Sequence, residues 1–145
     1  MLYKIHIKLT EKVRQFCLDY TLNNSHDRSY SNNELLEFYP EVDNFIANFN
    51  FKNICIGKLP TGNVQKHIDD GRDSALIIPI TNSKFVIHTD DGSHEFTDSF
   101  IIDTTQNHGA SSDFNSVFLA IDLDKPFLET KMYLESFSAL NINTK

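Results

Sequence analysis

The sequence predicts a mainly β fold of the sandwich or barrel kind, a small jelly roll with N-terminal helices as a cover and a C-terminal helix. Three observations predict it. From Asn53 onward, short alternating or wholly apolar runs recur at regular spacing, as strands do. Between them stand turn signals: Pro60-Thr61-Gly62, Asp70-Gly71, Thr81-Asn82 and Asp91-Gly92. Before Asn53 the apolar residues follow helical spacing instead. At 145 residues the chain is expected to form one domain with room for a core. Residues 1–52 form the helical cover, 53–123 the jelly-roll core and 124–145 the C-terminal helix and tail.

Residues 2–8 alternate loosely and predict a short strand. Thr10 is placed to cap a helix that runs through Tyr20, with Val13, Phe16, Cys17 and Tyr20 on one apolar face. The polar stretch over 21–31 reads as a loop. Ser31 and Glu34 have capping-box spacing for a second helix carrying Leu35, Leu36 and Phe38. Pro40 interrupts it or opens another, whose stripe is Val42, Phe45, Ile46 and Phe49. These helices are expected to pack on the outside of a sheet.

The core begins with ICIGKL (54–59), a strand ended by the Pro-Thr-Gly turn. The next strand carries His67 and Asp69. Ala75 to Ile80 is a nearly continuous apolar run, as a buried strand requires. Lys84 to Thr89 alternates, and Asp91-Gly92 is a hairpin signal. Two short strand candidates lie between Phe96 and Asp103. SVFLAIDL (116–123) is the last strand. Asp124 and Pro126 then open the C-terminal helix, with Phe127, Met132 and Leu134 available for packing.

Composition narrows the function. Net charge is −7, which argues against nucleic acid as a partner, since phosphates call for a basic patch. No apolar run approaches membrane-spanning length. No signal peptide is evident, and Cys17 and Cys55 are isolated. The expectation is a cytoplasmic protein with reduced cysteines.

The chemistry concentrates at His67-Ile68-Asp69. On a strand, side chains two apart share a face, so His67 and Asp69 would converge with Ile68 turned away. An imidazole and a carboxylate aimed together are two thirds of the facial triad that holds non-haem Fe(II). The third ligand would be His108, 41 residues on. The competing plain readings are a core histidine at 67 and a loop histidine at 108. A second His-x-Asp, His88-Thr89-Asp90, lies beside Asp91 and His94 at the predicted hairpin tip and reads as solvated.

The text around the motif runs KLPTGNVQKHIDD, IIPITN, FIIDTTQNHGA and FLAIDL. It resembles the Fe(II)/2-oxoglutarate-dependent oxygenases, and among them the aspartyl/asparaginyl β-hydroxylase and free-proline hydroxylase branch. The resemblance covers about residues 54–123. It implies a double-stranded β-helix, a cupin-like jelly roll, with His67, Asp69 and His108 as iron ligands. It further implies 2-oxoglutarate as co-substrate and O2 as oxidant, with succinate and CO2 released as a C–H bond of an amino acid or peptide side chain is hydroxylated. In that family the distal histidine ends a strand, and an Arg binds the far carboxylate of 2-oxoglutarate. Here the sequence departs from it. Ser116 stands at the usual Arg position and Ala75 near a second one. Arg72 lies five residues after His67 and is the leading anchor candidate, or else a turn residue paired with Asp70 or Asp73. Lys84 and Ser116 are further candidates. The missing Arg favours the alternative, a non-catalytic cupin-like module that binds a metal or ligand.

Overall fold

A computed structural model describes residues 2–6, 9–22, 28–30, 51–59, 62–69, 71–81, 84–113 and 115–143. Its strands are β1 (Leu2–Lys4), β2 (Arg28–Tyr30), β3 (Phe51–Leu59), β4 (Asn63–His67), β5 (Ser74–Pro79), β6 (Phe85–Thr89), β7 (Gly92–Phe96), β8 (Phe100–Ile102), β9 (His108–Ser111) and β10 (Ser116–Leu123). Its helices are α1 (Glu11–Leu22) and α2 (Phe127–Asn143). The helical stripes expected over 31–49 lie outside the described residues.

Every strand pair among the described residues is antiparallel. One sheet runs β1-β8-β5-β10-β3-β2 and the other β4-β9-β6-β7. The two pack face to face as a jelly roll, as the sequence pattern predicts.

The larger sheet is buried on both faces, and strand parity shows how. From β10, Val117, Leu119, Ile121 and Leu123 join Val13 and Cys17 of α1 and Phe127 and Leu134 of α2 in one core. Phe118 and Ala120 point the other way, into a second core with Phe85 and Ile87 of the smaller sheet. β3, β5 and β8 split in the same way: Ile54, Ile56, Leu76, Ile78 and Ile101 toward the helices, Cys55, Ala75, Phe100 and Ile102 toward the other sheet. Two buried faces remove the polar alternation, which is why SVFLAIDL and ALIIPI read as continuous apolar runs. Each Val, Leu, Ile or Phe side chain among them contributes about 1.5–3 kcal/mol when fully buried.

Local chemistry sets the element ends. Thr10 caps α1, its Oγ1 accepting from the Val13 amide at 3.3 Å. The β6–β7 hairpin pairs Thr89 with Gly92, leaving Asp90 and Asp91 as a two-residue loop. Gly92 there has φ 129°, a conformation open to glycine. In α2, Phe127 and Leu134 are buried as expected, whereas Met132 is 66% exposed and faces solvent. It sits where the turn of the helix carries it away from the sheet. No helix among the described residues is long and apolar enough to cross a membrane.

Cys17 and Cys55 are free and buried. Burial pushes the Cys17 thiol up to about 12, with the Arg14 charge partly opposing the rise. The thiolate is the reactive form. Native protein at pH 8 is therefore expected to leave Cys17 unalkylated by iodoacetamide, with rapid labelling once urea unfolds the chain. Labelling of the native thiol, read by mass spectrometry, would contradict this burial.

Candidate metal centre

Strand register brings the two histidines together. In the β4–β9 pair, His67 stands directly opposite His108, after a bulge between Val64 and His67. Their ring centroids are 4.5 Å apart. Close approach of the two strands is possible because residue 109 is glycine. A Cβ there would lie 2.8 Å from the Val64 carbonyl oxygen and 3.0 Å from the Lys66 amide nitrogen. His108 opens β9, rather than ending a strand as the resemblance implied.

Asp69 lies just past the end of β4, not on the strand. Its amide donates to the Thr104 carbonyl at 3.1 Å, which ties this segment to the β8–β9 connection. Ile68 is 58% exposed, so it turns away while its neighbours converge. His67 Nε2 is 3.2 Å from Asp69 Oδ1, and His108 Nε2 is 3.2 Å from Asp69 Oδ2. Among the described residues, His67, Asp69 and His108 form the one group whose donor atoms, all within 4.8 Å of one another, could hold a metal ion.

The hydrogen bonds behind the rings decide how they face forward. His67 Nδ1 lies 2.8 Å from the Gln65 carbonyl and His108 Nδ1 2.7 Å from the Gln106 carbonyl. A carbonyl only accepts, so each Nδ1 carries a proton and donates. In the neutral ring, Nε2 is then a lone pair aimed at Asp69. Lone pairs and carboxylate oxygens at such distances repel unless positive charge lies among them. A divalent cation or a shared proton supplies it, and the two nitrogens and one carboxylate are a donor set for Fe(II).

Asp69 is held from behind. Arg72 Nη1 is 3.3 Å from Asp69 Oδ2. The Arg72 Nε donates to Asp122 Oδ1 at 2.9 Å, and its Nη2 bonds the same oxygen. Asp122, on β10, is buried. Arg72 thus clamps two carboxylates whose side chains are 15% and 10% exposed.

Behind the triad a cavity of about 80 Å³ runs between the two sheets. Leu59, Ala75, Ile77, Phe85, Phe100 and Phe118 are among its walls. The polar residues at its edge are His67, Asp69, Arg72, Thr104 and His108. The Thr104 hydroxyl is buried and has no hydrogen-bond partner among the described residues.

No family model matches the chain, and no curated protein matches it. Among solved structures it resembles the viral collagen prolyl hydroxylase of Paramecium Bursaria Chlorella virus-1, solved as a complex with 2OG. That match has a TM-score of 0.54 at 12% identity, over 84% of this chain and 94% of that one. This likeness shows a shared fold. A cupin domain from Bordetella pertussis aligns with 54% of this chain and 91% of its own at 18% identity, with a TM-score of 0.41 that carries no weight.

The remaining residues singled out in the sequence fall as follows. Arg72 lines the cavity, and its partners are Asp69 and Asp122, not a turn acid alone. Lys84 pairs with Glu95 at 3.4 Å at the surface, away from the cavity walls. The Ser116 hydroxyl donates to the Asp113 carbonyl at 2.6 Å and also does not line the cavity. His88 lies on β6 rather than at the solvated hairpin tip. It is half-buried, its Nδ1 is 2.8 Å from the Ser93 hydroxyl and its Nε2 2.9 Å from the Ser111 hydroxyl of β9. Its neighbour Thr89 is buried, and only Asp90 and Asp91 form the exposed loop. Sequence reasoning missed the role of Asp122 as the partner of Arg72. A signal was present, since an acid inside the apolar run SVFLAIDL requires a cation once the strand is buried.

Proposed function

We propose that this chain is an Fe(II)-dependent oxygenase in which His67, Asp69 and His108 hold the metal. One observation carries the reading: both histidines are fixed from behind by backbone carbonyls so that their Nε2 atoms meet the Asp69 carboxylate. When bound, a ferrous ion supplies the activation of O2 at the positions that three protein ligands leave open. The protein's own part is to orient the donors, with Arg72 holding Asp69 and the two sheets giving the cavity behind mainly apolar walls. The class of substrate taken from the resemblance is an amino acid or peptide side chain. It would reach the metal on the side of His67, whose side chain is 40% exposed.

The donor set fits the metal. The cavity does not fit 2-oxoglutarate, the co-substrate that the resemblance implies. Arg72 is its only cationic wall residue among those described, and two carboxylates already occupy that guanidinium. Where the resemblance looks for an Arg, Ala75 gives an apolar wall and Ser116 stands outside. A buried carboxylate without a cation is costly. The same observation favours the second reading, a cupin-like module that binds metal or ligand without turnover.

Anaerobic titration with Fe(II) or Mn(II) tests the centre. We expect one equivalent to bind, with the histidine Nε2 signals perturbed in NMR. Binding of no metal, or of metal elsewhere, would remove the oxygenase reading. Metal uptake with no O2 consumption across a panel of amino acids, peptides and 2-oxo acids would select the binding module.

A further inference from the structure

We propose that the cavity beneath the metal centre selects a 2-oxo acid with a short aliphatic tail over 2-oxoglutarate. The inference rests on the metal-centre reading above and concerns which ligand completes that centre. A head with two adjacent oxygens can fill two of the positions that a facial donor set leaves open. What distinguishes ligands is the rest of the molecule, which must enter the space between the sheets.

Charge decides first. A divalent ion against Asp69 leaves a single positive charge, and Arg72 is balanced by Asp122. One monoanionic head therefore neutralises the site. The second carboxylate of 2-oxoglutarate would add a negative charge beyond it. Within the cavity it would lie against apolar walls that include the rings of Phe85 and Phe118, packed edge to face with centroids 6.0 Å apart. The Phe118 ring overlies Gly57, occupying the space where any Cβ at 57 would lie, so this wall is closed by the strand pairing itself.

Shape and polarity agree. The cavity volume of about 80 Å³ is several times the roughly 10–15 Å³ that one water needs on this measure, so it admits a tail of a few carbon atoms. Ala75 and Ile77 from one sheet and Ile87 and Ala110 from the other give that tail apolar contacts on both sides. The unpartnered Thr104 hydroxyl lines the same cavity and can donate to the ligand's polar head.

The test is a ladder of three ligands added anaerobically to the full chain loaded with one equivalent of Fe(II). Binding is read by the visible charge-transfer band and by calorimetry. Pyruvate has the head without a tail, 4-methyl-2-oxopentanoate has an aliphatic tail, and 2-oxoglutarate has a charged one. The expected order places 4-methyl-2-oxopentanoate at least tenfold tighter than either of the others. Equal or tighter binding of 2-oxoglutarate overturns the inference while leaving the metal centre standing. Failure to load the metal overturns both. In a second arm, Phe118→Lys places a cation in the cavity wall, and 2-oxoglutarate should gain at least fivefold over the parent chain. If that variant does not fold, the ladder on the unaltered protein still decides.

Discussion

Replacing His108 with Ala is expected to weaken Fe(II) or Mn(II) binding by at least about 100-fold, measured by anaerobic calorimetry. The expectation exceeds the roughly 10–100-fold loss usual for an outer partner of a metal site, because a donor itself is removed. His67 and Asp69 would remain, but two donors do not outcompete water for a labile divalent ion. Gly109→Ala should act in the same direction with every donor retained. The new Cβ would press on the Val64 carbonyl and the Lys66 amide. Both belong to β4, so the strand that carries His67 must move off the strand that carries His108. If Gly109→Ala binds metal as the parent does, strand register is not what holds the histidines together. If His108→Ala does, the centre lies elsewhere.

Arg72→Ala is expected to destabilise the fold by about 3 kcal/mol, read from urea unfolding, because it strands Asp122 in a buried strand. It should also weaken metal binding by about tenfold, since Asp69 loses the group that orients it. The double variant Arg72→Ala/Asp122→Ala should be more stable than Arg72→Ala alone, because no unpaired charge is left behind. A stable single variant with unchanged metal affinity would mean that the clamp contributes nothing. An Arg72 that served as co-substrate anchor would behave differently: 2-oxoglutarate binding would collapse and metal binding would hold.

Much of the fold was legible in the chain. The apolar run over 116–123 predicts the last strand and is β10 to the residue. Ala75 to Ile80 corresponds to β5, and Asp124-Pro126 to the start of α2. These elements are set by local causes: apolar runs, a proline and turn residues. The centre was less legible. The i, i+2 spacing predicts convergence of His67 and Asp69 on one strand, but that strand ends at His67. What carries Asp69 to the histidines is its amide bond to Thr104, a contact 35 residues away that no spacing rule contains. Sequence proximity offers Asp70 and Asp73 as partners for Arg72, whereas its guanidinium bonds Asp122, fifty positions on.

The line of residues is enough to predict a two-faced β core with helices on the outside, and it points to a His-x-Asp pair and a later histidine as the candidate centre. Periodicity and turn residues act over a few positions, so they can be read from a line of text. That His67 faces His108, that Arg72 is shared between two acids, and that Phe118 walls the cavity follow from the folded arrangement alone. Those outcomes depend on which strands pair and in what register. Register is fixed by burying two apolar faces at once, a condition on the whole molecule that no short stretch of residues expresses.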